Sequence, residues 1–149
     1  MTDWNDITTA LTAVLGGDPG EGAPRLRALW EASRPEEHAQ RCVLAHYLAD
    51  LEPHLANEVR WDEIALEEFF QVHENDLSPV GIASAAGLAP SLHLNLGEGF
   101  RRQGDIARAR EHLALGRAAA GVLGDDAYST MIRKGLDGLG GRLDATDTH

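Results

Sequence analysis

His38, Cys42, His46 and Asp50 recur at every fourth residue. All four residue types ligate zinc, and histidines at i and i+4 of a helix can share one metal ion. Four residues exceed one 3.6-residue turn, so a stripe of this spacing rotates by ~40° per step. Only neighbouring pairs can chelate, and other helices would have to complete a tetrahedral set. His38, Cys42 and His46 are therefore the metal-ligating candidates. The stripe reads instead as surface histidines flanking a partly buried cysteine, and no bound metal or other cofactor is expected.

The remaining chemistry-bearing residues fall short of known motifs. His73-Glu74 lacks the second histidine of a zinc-protease helix, and no glycine-rich loop ends in Lys-Ser/Thr as a P-loop does. Ser91 and His93 point to different helix faces and make a poor nucleophile–base pair. Glu58, Asp62, Glu63, Glu67 and Glu68 concentrate acid in one short stretch. Carboxylate catalysis needs a cleft and a positioned substrate. The stretch reads instead as a solvated acidic face, and no enzymatic activity is expected.

Charge is distributed unevenly. Residues 1–75 hold fifteen acids against five arginines, and residues 76–149 hold nine acids against eight bases. The acidic half repels phosphate, which argues against a nucleic-acid partner. No apolar run approaches the roughly 20 residues that span a bilayer, so no membrane partner is expected. The start, Met1 to Asp6, lacks the basic and apolar regions of a secretory signal. Cys42 is the sole cysteine, so an internal disulfide is impossible and a cytoplasmic location is expected.

The 149 residues suit one domain. Helical spacing of apolar residues runs nearly throughout, without a period-2 alternation. Asp3 can cap a first helix that ends near Gly16-Gly17. The Gly17–Gly22 stretch, GDPGEG, reads as a loop, with Pro24 opening a second helix that carries Leu26, Leu29 and Trp30. Ser33 fits the N-cap of a third helix, with Glu36 and Glu37 in its first turn and Pro53 ending it. A fourth helix is predicted over 57–72, turning Val59, Ile64, Leu66, Phe69 and Phe70 inward. Residues 75–90 form a long connection with room for a short helical turn. Trp30 and Trp61 are expected as core anchors.

Two further helices, about 90–103 and 106–120, flank Gly104-Asp105, where glycine ends one helix and aspartate caps the next. Leu92, Leu96 and Phe100 form one stripe, and Ile106, Ala109, Leu113 and Gly116 form another. Small residues let helix backbones approach, so the tightest contact is expected at Gly97 and Ala109. Leu96-Gly97, Phe100, Gly104, Ala109 and Leu113 stand in the register of a tetratricopeptide repeat, the ~34-residue helix–turn–helix unit, and residues 90–123 resemble that family. His93, Gly116 and Gly121 depart from its usual residues.

The resemblance implies an all-α helical-repeat array of about six or seven antiparallel helices in a single domain, 1–143. A closing helix is expected over about 125–143, with Met131, Ile132, Leu136 and Leu139 packing back, and a disordered tail over 144–149. The resemblance also implies a protein- or peptide-binding module. Its concave groove would be lined by Leu94, Asn95, Glu98, Arg101 and Arg102, with the arginines offering a fork for a carboxylate. The alternative is a helical ligand-binding or metal-sensing domain with a pocket near the third helix.

Overall fold

The computed structural model describes residues 1–147. Among them run seven α-helices: α1 (Trp4–Leu15), α2 (Pro19–Ala32), α3 (His38–Asp50), α4 (Leu55–Phe69), α5 (Ala89–Arg102), α6 (Ile106–Ala119) and α7 (Ala127–Asp147). Three short 3-10 turns, Ser78–Val80, Ala85–Leu88 and Ala120–Val122, complete the regular structure, and there is no strand among the described residues. No described helix is long and apolar enough to cross a membrane.

Local chemistry sets the helix starts. Asp3 accepts a hydrogen bond from the Asn5 amide, and Asp105 accepts one from the Arg108 amide. Gly104 sits at φ 84°, a left-handed conformation that glycine adopts without steric penalty, so it turns α5 into α6. The expected hairpin is therefore present. Two neighbouring expectations are corrected. GDPGEG is not a loop: Asp18 caps the Glu21 amide, Pro19 takes the first helical turn, and α2 runs straight through Pro24. A methyl group at Gly22 would stand 3.0 Å from the Ala10 carbonyl oxygen, so this glycine serves close packing of α2 on α1. Ser33 likewise ends α2 instead of opening α3, donating its hydroxyl to the Trp30 carbonyl at 2.6 Å. Glu37 occupies the cap position of α3, but its carboxylate holds the Thr2 and Arg34 amides.

The helices pack as successive hairpins, α1 with α2, α3 with α4 and α5 with α6. Each hairpin rests on the next through α2–α3 and α4–α5, and α7 closes the series against α5 and α6. This packing is compatible with a helical-repeat array. One core fills the space within α1–α4 and takes in Leu77, Leu88 and Leu92; Trp30 and Trp61 pack against it edge to face, 5.0 Å apart. The second gathers Val59, Leu96, Phe100, Ala109, Leu113, Ile132, Leu136 and Leu139. Two expected core residues face outward: Phe70 is 70% exposed and Met131 60% exposed. α4 stops at Phe69, so Phe70 falls beyond its inward stripe. α7 continues past Leu143 to Asp147, with Thr146 bonded back to the Arg142 carbonyl. That part of the expected tail is helical, and residues 148–149 lie outside the described residues.

Although Gly22, between α1 and α2, is packed more tightly still, Gly97 lies where α5 meets both α6 and α7. A methyl group there would stand 2.7 Å from Leu139 Cδ2 of α7 and 3.4 Å from the Ala109 carbonyl oxygen of α6. Gly97→Leu is therefore expected to destabilise the fold by ~1–3 kcal/mol through overpacking. Improved helix propensity offsets somewhat under ~1 kcal/mol of this. Chemical denaturation measures the net, and an unchanged or increased stability would refute the close contact.

Candidate functional site

The five groove residues expected from sequence reach different neighbours. Leu94 lies over Gly135 of α7, where a methyl group would stand 2.5 Å from Leu94 Cδ2. The Asn95 side-chain nitrogen stands 3.5 Å from His46 Nδ1 on α3. Glu98 accepts hydrogen bonds from Arg101 Nε at 3.0 Å and from Arg142 of α7 at 2.7 Å. Arg102 crosses to α4 and gives its guanidinium to both oxygens of Glu58, at 2.6 and 3.4 Å. Each guanidinium thus already holds a carboxylate of its own chain. An incoming carboxylate would have to compete with Glu98 and Glu58.

The histidine–cysteine stripe on α3 disperses as its rotation requires. His38 Nδ1 meets Glu68 Oε2 at 2.6 Å, beside Arg41. Cys42 is fully buried, and burial, with the Glu68 charge, pushes its thiol up to about 12. His46 faces Asn95, and burial lowers its imidazole to about 4, which leaves it neutral at neutral pH. The three are not brought together. Among the described residues no group of three His, Cys, Asp or Glu could hold a metal ion. Ser91 and His93 also separate: Ser91 pairs with Tyr128, whereas His93 stacks on His112 with their Nδ1 atoms 3.1 Å apart.

Asp62 is the residue that sequence reasoning misplaced. It was expected on a solvated face, yet it is 3% exposed, and its Oδ1 has no hydrogen-bond partner. Its spacing explains this: Val59, Asp62 and Ala65 are the buried residues of α4, three apart on one face. An acid at i+3 from one small apolar residue and i−3 from another was the available signal. Burial raises its carboxyl to about 8, and the Asp50 and Glu58 charges push in the same direction. Asn95 and Arg102 act against them. Other acids of this stretch are paired: Glu58 with Arg102, Glu67 with Arg60, and Glu68 with Arg41 and His38.

Beside this polar seam opens a half-open cavity of about 520 Å³. α1 supplies Thr8, Leu11, Thr12 and Leu15, and α3 supplies Val43, His46 and Tyr47. Ser91 of α5 and Tyr128 at the start of α7 form the opposite side. The long connection expected over 75–90 carries the short helical turns Ser78–Val80 and Ala85–Leu88, closes one wall with Pro79–Ile82 and is anchored by the fully buried Leu77. The odd-numbered helices therefore share one concave face, largely apolar and carrying a few hydroxyls.

Asp62 yields a pH-dependent prediction. Its folded carboxyl titrates near 8, whereas an unfolded aspartate titrates near ~3.9. The unfolded chain binds fewer protons across that window, so this group's contribution falls as pH rises through it. His46, His93 and His112, all lowered by burial, act in the opposite sense below their unfolded value but cancel when a variant is compared with wild type. The stability of Asp62→Asn relative to wild type should therefore grow by about 2 kcal/mol from pH 6.5 to 8.5. Denaturation curves at the two pH values check this, and a constant difference would show that Asp62 is ionised in the fold throughout. No protein-family model, curated protein or solved structure matches this chain.

Proposed function

We propose that this chain is a protein- or peptide-binding module whose binding surface is the concave face of α1, α3, α5 and the head of α7. The observation carrying this reading is the half-open apolar cavity of about 520 Å³ that crosses these helices. An open concave face with apolar walls loses water favourably when a partner's side chains enter it. Leu15, at its rim, is 70% exposed. Asn95 stands 3.5 Å from His46, a wall residue of the cavity, without lining it itself. Arg102, tied to Glu58, holds α5 to α4, Arg142, tied to Glu98, holds α7 to α5, and Arg101 pairs with Glu98 on its own helix.

A second reading, a helical domain that holds a small molecule, is favoured by one observation. The cavity borders the third helix at Val43, His46 and Tyr47, and its volume falls in the ~300–1,000 Å³ range of small-molecule pockets. Cytoplasmic location and a non-enzymatic role belong to the first reading and rest on the sequence.

Thr12→Trp tests the groove. Thr12 is exposed on α1 and lines the cavity, so tryptophan fills the space without disturbing the core. Affinity capture from native lysate is expected to retain one or more proteins on wild type and to lose them on Thr12→Trp. Capture identical on both would overturn the reading. A small molecule retained by wild type in native mass spectrometry, and lost in the variant, would favour the second.

A further inference from the structure

A second cavity, of about 320 Å³, adjoins the first. The two share Gly81, Ile82, Asp126 and Tyr128, so they form one groove running from Leu15 on α1 to Val122 beyond α6. Exposed apolar side chains mark both ends: Leu15 at one and Val122, 62% exposed, at the other. A groove with apolar ribs beyond its deepest point suits a linear segment better than a single compact molecule.

Charge narrows the occupant. Among the described residues, the Asp126 carboxylate is the only ionised side chain on the walls of these two cavities, and it lies on the wall they share. The His46 imidazole on the same walls is neutral at neutral pH. Asp126 Oδ1 accepts the Ser129 amide at 2.7 Å, which fixes the carboxylate at the head of α7. Arg133 of the same helix gives its guanidinium to the carbonyls of Leu123 and Gly124, and its charge also favours the ionised form of Asp126. The charge of Asp50, on α3, reaches the Tyr47 wall. The whole chain carries a net charge of −11. A negative field over an apolar trough complements a cation flanked by an apolar side chain.

We propose that the occupant of this groove is a linear segment of a partner protein that seats a large apolar side chain in the deeper cavity and sets a lysine or arginine against Asp126. The proposal rests on the binding-module reading above and specifies its ligand. The hydroxyls of Thr8, Thr12 and Ser91 can accept amide hydrogens from the segment's backbone. Its basic residue also explains why the paired arginines of α5 need not serve as ligands.

The probe is a displayed library of random linear peptides, selected on wild type and counter-selected on Thr12→Trp. Synthetic copies of the enriched peptides are then titrated by fluorescence anisotropy at low and high salt. Enriched sequences should pair a large apolar residue with a nearby lysine or arginine. Asp126→Asn keeps an amide-capping side chain, so α7 stays intact. It should weaken binding about threefold to fivefold, the scale of an exposed ion pair. It should also flatten the fall of affinity with salt. Enriched peptides without a basic residue, or affinities unchanged by Asp126→Asn, would overturn the basic occupant while leaving a peptide groove standing. No enrichment of wild-type over Thr12→Trp binders would overturn both. Matching far-UV circular dichroism for all variants excludes misfolding as the cause.

Discussion

A helical hairpin cannot bury its own apolar face, so each must borrow a wall from its neighbour. α5 is where that borrowing is concentrated. Its single stripe is divided between the two cores: Leu92 enters the one built by α1–α4, while Leu96 and Phe100 enter the one closed by α6 and α7. Small residues on the same helix let three partners come near. Gly97 admits Leu139, and Gly99 admits Val59 of α4. If α5 moved, the two cores would lose contact together, and the concave face would lose its middle wall.

The polar groups around α5 follow from that position. Glu58–Arg102 links α4 to α5, and Glu98 links α5 to α7 through Arg142. These pairs are partly exposed, so each adds modest energy; their value is in fixing register between helices. Asp62 lies deeper, where the field of Asp50 and Glu58 and the loss of water disfavour its charge. A proton is the cheapest way to neutralise it. The result is a neutral, hydrogen-bonding seam behind a neutral histidine, next to a groove in which Asp126, on the wall the two cavities share, is the charged residue among those described.

Much of the helical layout was legible because its signals are local. Gly104-Asp105 is a turn and a cap in consecutive residues, and the four-residue spacing of Leu92, Leu96 and Phe100 names its own buried face. The errors came where a local signal met a tertiary one. Glycines and a proline in GDPGEG suggested a loop, but Asp18 and Pro19 are stronger as a helix start, and Gly22 is needed by α1. Asp62 looked solvated among four other acids, yet the period of its helix buries it. The groove was the least legible feature. It is assembled from α1, α3, α5, α7 and Pro79–Ile82, segments far apart in sequence, and no single stretch encodes it. The arginines were visible as charges, but their carboxylate partners lie on other helices or one turn away, and spacing alone does not say which bonds win.

All three tryptophans lie in the first half of the chain, at positions 4, 30 and 61. Two of them touch edge to face, with the Arg41 guanidinium 3.9 Å from the Trp30 ring centre. The molecule is thus optically lopsided: its indole emission watches α1–α4, while α5–α7 hold no tryptophan and are followed by the far-ultraviolet signal that all the helices share. A single melt followed at both wavelengths separates the behaviour of the two cores without any added label. Coincident curves would mean that α5 welds them into one cooperative unit.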